Sequence, residues 1–140
     1  MKIILSILFI FIVSTSSLQA DDKVDLINLY KELHANPELS FKEERTSKKL
    51  ANILKNLGLE VTENFGGYGV VALLKNGEGK TIMLRADMDG LPVKELTGAP
   101  YASKTKSFNQ VGDEVFTMHA CGHDIPVSYT HLTLPTICSV

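Results

Sequence analysis

A cluster of candidate metal ligands lies near the end of the chain, where residues 119–124 read His-Ala-Cys-Gly-His-Asp. Imidazole, thiolate and carboxylate groups are the usual ligands of divalent metals such as zinc, manganese and nickel. Cys121 and His123 are two residues apart, so an extended backbone would project both to one face. Gly122 allows the backbone to bend between them. Because a zinc site needs three or four protein ligands in fixed geometry, the fold must bring further groups to this segment.

A second candidate segment follows an apolar run. The unbroken sequence Ile82–Leu84 predicts a buried strand over residues 80–86, and two carboxylates, Asp87 and Asp89, follow directly. These two side chains should face the same way, before Gly90 ends the strand. In open α/β sheets, ligands collect at the carboxyl ends of strands. A solvated acidic turn is the alternative interpretation of the same residues.

The remaining pattern predicts helices followed by strands. Asp22 can cap a helix that ends at about Ala35, before Pro37, and Ser40-x-x-Glu43 has the form of a capping box for a second helix that stops at Gly58. Strands are predicted at 60–63, 69–75 and 80–86, with a hairpin turn at 76–79 between the last two. The expected core-facing residues are Val24, Ile27, Tyr30 and Leu33 of the first helix and Leu50, Ile53, Leu54 and Leu57 of the second. This order of elements does not choose between the α/β and α+β classes.

Five blocks of the sequence resemble a known family of metallopeptidases, which includes aminoacylases, hippurate hydrolases and the carboxypeptidase that cleaves folates. The similarity runs from about Leu33 to Asp124, and the branch of hippurate and auxin-conjugate amidohydrolases is the most similar. The blocks keep the family's order and approximate separations. They are residues 34–41 with Glu43 or Glu44 and Thr46, then 69–72, 84–92, 98–103 and 118–124.

The resemblance implies an α/β fold, as the incomplete N-terminal part of a zinc-peptidase-like catalytic domain with helices packed on a mixed sheet. It also implies that the complete protein is a metal-dependent amidohydrolase. Such an enzyme cleaves the amide bond of N-acyl amino acids or related small amides with a divalent metal cofactor, two ions of zinc, manganese or nickel. The parent protein would be a homodimer or larger homo-oligomer.

The resemblance assigns roles to individual residues. Cys121 and His123 match ligands of the metal pair, and Asp89 matches the carboxylate that orients a ligand. The candidates for groups behind the ligands, or for further ligands, are Asp87, His119 and Asp124. In the family, the glutamate general base, an adjacent glutamate ligand and two further histidines lie downstream of the block that ends at Asp124. They are absent from this chain, which we therefore expect to be inactive alone.

Residues 1–20 have the composition of a secretory signal peptide. Lys2 precedes the apolar run Ile3–Val13, and small and polar residues lead to Ala20, where we expect cleavage. The run is short for a membrane span, although an uncleaved anchor is the alternative. We therefore expect an exported protein, periplasmic or secreted, with no membrane association after cleavage.

The last residues, 126–140, have the character of a non-native tail. Residues 127–136 resemble the conceptual translation of a transposon-type sequencing adapter. The family has a histidine two positions after the residue that matches Asp124, where this chain has Pro126. A histidine codon cut after its first base and joined to the adapter would encode proline. The expected native part of the fold is therefore 21–125.

Charge and cysteine content narrow the possible partners. The formal net charge of -2 gives no reason to expect a nucleic acid or an anionic membrane as partner. Of the two cysteines, Cys138 belongs to the suspect tail, which leaves Cys121 without an internal disulfide partner. Two alternatives remain open. One is a thiol hydrolase with Cys121 as nucleophile, and the other is a periplasmic metal- or solute-binding module without turnover.

Overall fold

The computed structural model describes residues 21–75 and 77–129. The predicted signal peptide, the side chain of Val24, Asn76 of the predicted hairpin turn and most of the adapter-like tail lie outside the described part. Two helices come first, α1 (Asp21–Ala35) and α2 (Glu44–Asn56). Both were predicted, and none of the described helices is long and apolar enough to cross a membrane.

The buried faces of the two helices form one side of the core. Leu29 and Leu33 of α1 pack with Leu50 of α2, and Ile53 lies partly buried against them. Ile27 is 51% exposed, so its predicted place in the core is wrong. The buried face of α1 instead follows the spacing of Leu29 and Leu33, four residues apart and therefore on one side of a helix.

Helix α2 begins without the predicted capping box. Glu43 makes no side-chain cap. The carboxylate of Glu38 accepts hydrogen bonds from the backbone N–H of Arg45 (3.2 Å) and of Thr46 (2.7 Å). A negative charge there also complements the helix dipole. The Ser40 hydroxyl donates to Asp89 instead. At the other end the prediction is confirmed, since the chain leaves the helix through Gly58 with a φ of +82°.

The described strands form two separate antiparallel pairs. Strand β1 (Glu60–Phe65) pairs with β2 (Gly69–Leu73), and β3 (Lys106–Phe108), which was not predicted, pairs with β4 (Glu114–Phe116). The predicted buried strand over 80–86 is wrong. Ile82 and Met83 are 82% and 83% exposed, because β2 pairs with β1 and no described strand pairs with 80–86.

A crossing of three chain segments organises the site. Leu39 and Gly90 form a parallel bridge, and Leu91 and Met118 form an antiparallel one. The Gly90 N–H donates to the carbonyl of Glu38 at 2.7 Å, and the Leu91 N–H donates to that of Met118 at 2.8 Å. The expected α/β class is confirmed by this combination of helices and small sheets and by the structural neighbours described below. The expected mixed pairing is limited, within the described residues, to these bridges.

A final helical segment, residues 124–129, crosses the expected boundary of the native sequence at Ile125. Val127 is 1% exposed and completes the core cluster with Leu29, Leu33 and Leu50. This packing requires only an aliphatic side chain at position 127. The domain boundary therefore stays a prediction.

We expect Gly90→Ala to destabilise the fold because the crossing leaves no room for a side chain. An added Cβ would lie 2.8 Å from Pro37 Cβ and 3.1 Å from Thr117 Cγ2. Overpacking of this kind costs about 1–3 kcal/mol. The urea midpoint of the complete protein should fall accordingly, and that of the exposed control Glu78→Ala should not. Equal midpoints for Gly90→Ala and the wild type would contradict the close crossing.

Candidate functional site

The imidazole of His123 is held by Asp89. Its Nδ1 lies 2.9 Å from Asp89 Oδ1 and 3.1 Å from the backbone carbonyl of the same residue. Both partners are acceptors, so Nδ1 carries the proton and Nε2 keeps its lone pair. An imidazole oriented in this way by a carboxylate is the usual arrangement behind a metal ligand.

Asp89 is itself fixed by Ser40. The Ser40 Oγ donates to Asp89 Oδ2 at 2.5 Å, so each carboxylate oxygen has its own donor. Burial alone would raise the pKa of Asp89, but the hydrogen bonds from Ser40 and His123 outweigh it and lower the pKa. The carboxylate therefore stays ionised and remains a fixed acceptor for His123.

Cys121 and His123 lie on one tight turn, which we call the Cys-Gly-His-Asp turn (residues 121–124). Gly122 has a φ of +72°, a conformation that favours glycine. Its N–H donates to the His119 carbonyl at 3.3 Å, and the N–H of Ile125 donates to the Gly122 carbonyl at 3.1 Å. The Cys121 thiol is free and exposed. Among residues 21–75 and 77–129, no group of three or more His, Cys, Asp or Glu side chains is arranged to hold a metal ion.

The two carboxylates of the predicted strand end contact different partners in the structure. Asp89 contacts His123, whereas Asp87 is half exposed and pairs with Arg85 at 2.7 Å. The predicted shared direction of the two side chains stays a prediction, because their contacts show only that their partners differ. Of this pair, the contacts connect only Asp89 to the histidine.

Asp124, the last residue of the turn, is buried. Its side chain is 1% exposed, and Oδ2 is 2.6 Å from His34 Nδ1. The other ring nitrogen of His34, Nε2, is 3.1 Å from Oε1 of the buried Glu95. The sequence gave no role to Glu95. Nothing in the spacing of these three residues connects them, because 61 and 90 positions separate His34 from its partners.

His119 is buried but has no side-chain hydrogen bond. It is 5% exposed, and neither ring nitrogen has a partner with hydrogen-bond geometry among the described residues. Burial is the main cause that lowers the pKa of His119. The residue is therefore a neutral imidazole that follows the close crossing at Met118.

Comparison with known proteins shows which proteins this chain is similar to. No family model matches the chain. The chain is 45% identical over 105 residues to thermostable carboxypeptidase 2 of Saccharolobus solfataricus, which covers 74% of the chain and 24% of that protein. It is 49% identical over 94 residues to the hippurate hydrolase of Campylobacter jejuni. That match covers 66% of the chain and 22% of the hydrolase. A solved structure from Bacillus subtilis, a dinuclear metal-binding peptidase of the M20 family, superposes with a TM-score of 0.73 at 34% identity.

Over most of its length the chain is similar to a solved member of the M20 family. The superposition covers 86% of this chain and 32% of the Bacillus subtilis peptidase. The chain spans about a quarter of the length of the curated relatives that it matches. By name these two relatives are a carboxypeptidase and a hippurate hydrolase, which confirms the resemblance seen in the sequence.

We predict that the contact of His34 with its two carboxylates contributes most stability in weakly acidic solution. Burial lowers the pKa of His34, but the hydrogen bonds that its ring donates to Asp124 and Glu95 outweigh burial and raise the pKa above 6.5. This contribution is complete below 6.5 and is lost as the pH rises through the raised value. Burial raises the pKa of Glu95, but hydrogen bonds from Thr97, Ser103 and His34 lower it below 4.5, so its contribution is lost only in stronger acid.

The measurement is the difference in free energy of unfolding between wild type and His34→Gln as a function of pH. We expect it to reach about 3 kcal/mol between pH 4.5 and 6.5, as for a broken buried pair, and to fall on both sides. Lys48→Gln, which breaks the exposed pair with Glu44, should show a small and flat difference in this window. A His34→Gln difference that grows steadily up to pH 8 would contradict the prediction.

Proposed function

We propose that the complete protein hydrolyses the amide bond of N-acyl amino acids or related small amides in a metal-dependent reaction. The observation that carries the proposal is the hydrogen bond of 2.9 Å between His123 Nδ1 and Asp89, which leaves Nε2 free as a ligand beside the exposed thiol of Cys121. The hippurate hydrolase of Campylobacter jejuni, 49% identical over the matched region, supports this substrate class.

The available donors fit a divalent metal. A thiolate and an imidazole suit zinc or nickel, and carboxylate ligands from the rest of the protein would also suit manganese. The neighbour from Bacillus subtilis binds a metal pair, which supports two ions here. Cys121 and His123 would hold the cofactor from this part of the chain, and the remaining ligands would come from outside the described residues. When bound, the metal would supply Lewis acidity that activates water and polarises the amide carbonyl.

The described residues prepare this site in three ways. Asp89 keeps the proton of His123 on Nδ1, and Ser40 prevents the carboxylate from turning away. Gly122 adopts the backbone conformation that lets the chain turn between Cys121 and His123. A general base that takes the proton of the attacking water and delivers it to the leaving amine must come from elsewhere in the protein. We propose a downstream glutamate, so that this chain alone is inactive.

The proposal also covers the two ends of the chain. We propose that residues 1–20 are a signal peptide and that the protein is exported to the periplasm or beyond the cell. The proposed native fold covers 21–125, and residues 126–140 are proposed to be adapter-derived. The substrate is a small molecule, and the complete protein is proposed to form homodimers or larger homo-oligomers.

Resequencing the gene tests the proposed boundary. We expect a histidine codon at position 126 and an open frame of a few hundred further residues that carries the missing glutamates and histidines. The physical reason is that a hydrolytic zinc site needs more ligands than residues 21–75 and 77–129 bring together. A native stop codon at about position 140, after the same tail, would contradict the proposal.

The complete protein should release free amino acid from N-acyl amino acids, measured by amine detection. A chelator should abolish the activity and added divalent metal should restore it. Cys121→Ser should lose bound metal and rate together, because the thiolate is a proposed ligand. Full activity in excess chelator would favour a thiol nucleophile instead, for which the exposed Cys121 near an Asp89-oriented histidine is the relevant observation.

A matched pair of variants tests the role of Asp89. Asp89→Asn should lower metal affinity about 10- to 100-fold, because the carboxylate no longer fixes the imidazole. Asp87→Asn makes the same change two residues away, at a side chain that pairs with Arg85. It should retain wild-type affinity. Equal losses in both variants would contradict a specific role for Asp89, and metal binding without any turnover would favour the binding-module alternative.

A further inference from the structure

His34 lies between two buried carboxylates, away from the proposed ligands. It is in the last turn of α1, with Nδ1 at 2.6 Å from Asp124 and Nε2 at 3.1 Å from Glu95. The side chains of His34, Glu95 and Asp124 are 10%, 0% and 1% exposed. A neutral imidazole could donate to only one of these acceptors, so the arrangement is satisfied by a protonated ring.

The rest of the fold fixes His34 and Glu95 independently of the Cys-Gly-His-Asp turn. Glu95 accepts hydrogen bonds from the backbone N–H of Ser103 at 2.5 Å and from the Thr97 hydroxyl. The ring of Tyr101 packs edge-on against His34, with centroids 5.4 Å apart. Tyr30 covers the ring from the preceding turn of α1 at 5.6 Å. His34 is therefore a rigid point in the structure.

Asp124 connects this rigid point to the proposed ligands. It follows His123 directly and opens the helical segment 124–129, where the Val127 N–H donates to the His123 carbonyl at 3.2 Å. The Ser128 hydroxyl donates to the Asp124 carbonyl at 2.6 Å. Holding the Asp124 side chain therefore holds the backbone of His123. The turn has two anchors, because Asp89 also holds the His123 ring.

We propose that His34, supported by Glu95, is a positioning residue that fixes the Cys-Gly-His-Asp turn through Asp124. The role is to hold the backbone so that the Cys121 thiol and His123 Nε2 converge on one point. This inference rests on the proposed metal-binding function. His34 does not touch a reacting atom and acts only through Asp124.

The test uses the complete protein, stripped of metal and titrated with Co²⁺. A bound thiolate gives Co²⁺ a sulfur-to-metal absorption band, which reports on Cys121, and competition with a chelator gives the affinity. His34→Asn should lower Co²⁺ affinity about 10- to 100-fold, as removal of a group behind a ligand does, and should weaken the band. Glu95→Gln, which keeps the volume of the side chain, should cause a smaller loss in the same direction and decides the case if His34→Asn does not fold.

Leu54→Ala is the matched structural control. Leu54 is a buried residue of α2 that lies outside the core cluster of Leu33 and Val127. Its truncation should lower the unfolding midpoint while leaving Co²⁺ affinity within about twofold of the wild type, as expected for a residue outside the hydrogen-bonded group behind the ligands. Wild-type affinity and band in His34→Asn, or in Glu95→Gln if His34→Asn does not fold, would overturn the positioning role. A wild-type protein without a Cys121-dependent band would instead overturn the proposed metal site.

Discussion

The close crossing at Gly90 is the constraint on which the rest of the site depends. Three segments meet there, and the hydrogen bonds of Gly90 and Leu91 to the carbonyls of Glu38 and Met118 fix their separation. A side chain at position 90 would collide with Pro37 and Thr117. This contact places Ser40 beside Asp89, and it carries the chain from Met118 directly into the ligand-bearing turn. The packing of the backbone at Gly90 thus determines where the site residues lie.

Two carboxylate–histidine contacts hold the turn. Asp89 fixes the His123 ring, and His34 fixes the Asp124 side chain. Buried charges are costly unless paired and hydrogen bonded. The second contact meets this requirement because protonated His34 pairs with both carboxylates, and Glu95 accepts further hydrogen bonds from Thr97 and Ser103. Both contacts join residues far apart in sequence, so the turn can form only when α1, the Gly90 crossing and the loop at Glu95 are in place.

The sequence predicted the parts of the site that are local in the chain. Cys121, Gly122 and His123 are neighbours, so spacing alone indicated a shared turn, and the resemblance added Asp89. Ser40 was expected to cap a helix because a capping box is a local pattern, yet its hydroxyl reaches Asp89, 49 residues away. Glu95 gave no signal, since a lone glutamate in a loop shows its burial only in the folded structure.

The fold was predictable to a similar extent. Helices α1 and α2 follow from the periodicity of apolar residues, and the stop at Gly58 follows from the conformational freedom of glycine. Both signals depend on neighbouring residues. The strand predicted over 80–86 depends on a partner strand, and no described strand pairs with it. The apolar residues of segment 80–86 are exposed. The chain spans about a quarter of the length of its relatives.

The most direct test of the account is a crystal structure of the complete protein with anomalous scattering data at the metal edge. The account predicts metal density bonded to Cys121 Sγ and His123 Nε2, with His123 Nδ1 still on Asp89. Metal density bonded to neither residue, or a His123 ring turned so that Nδ1 faces the metal, would contradict it.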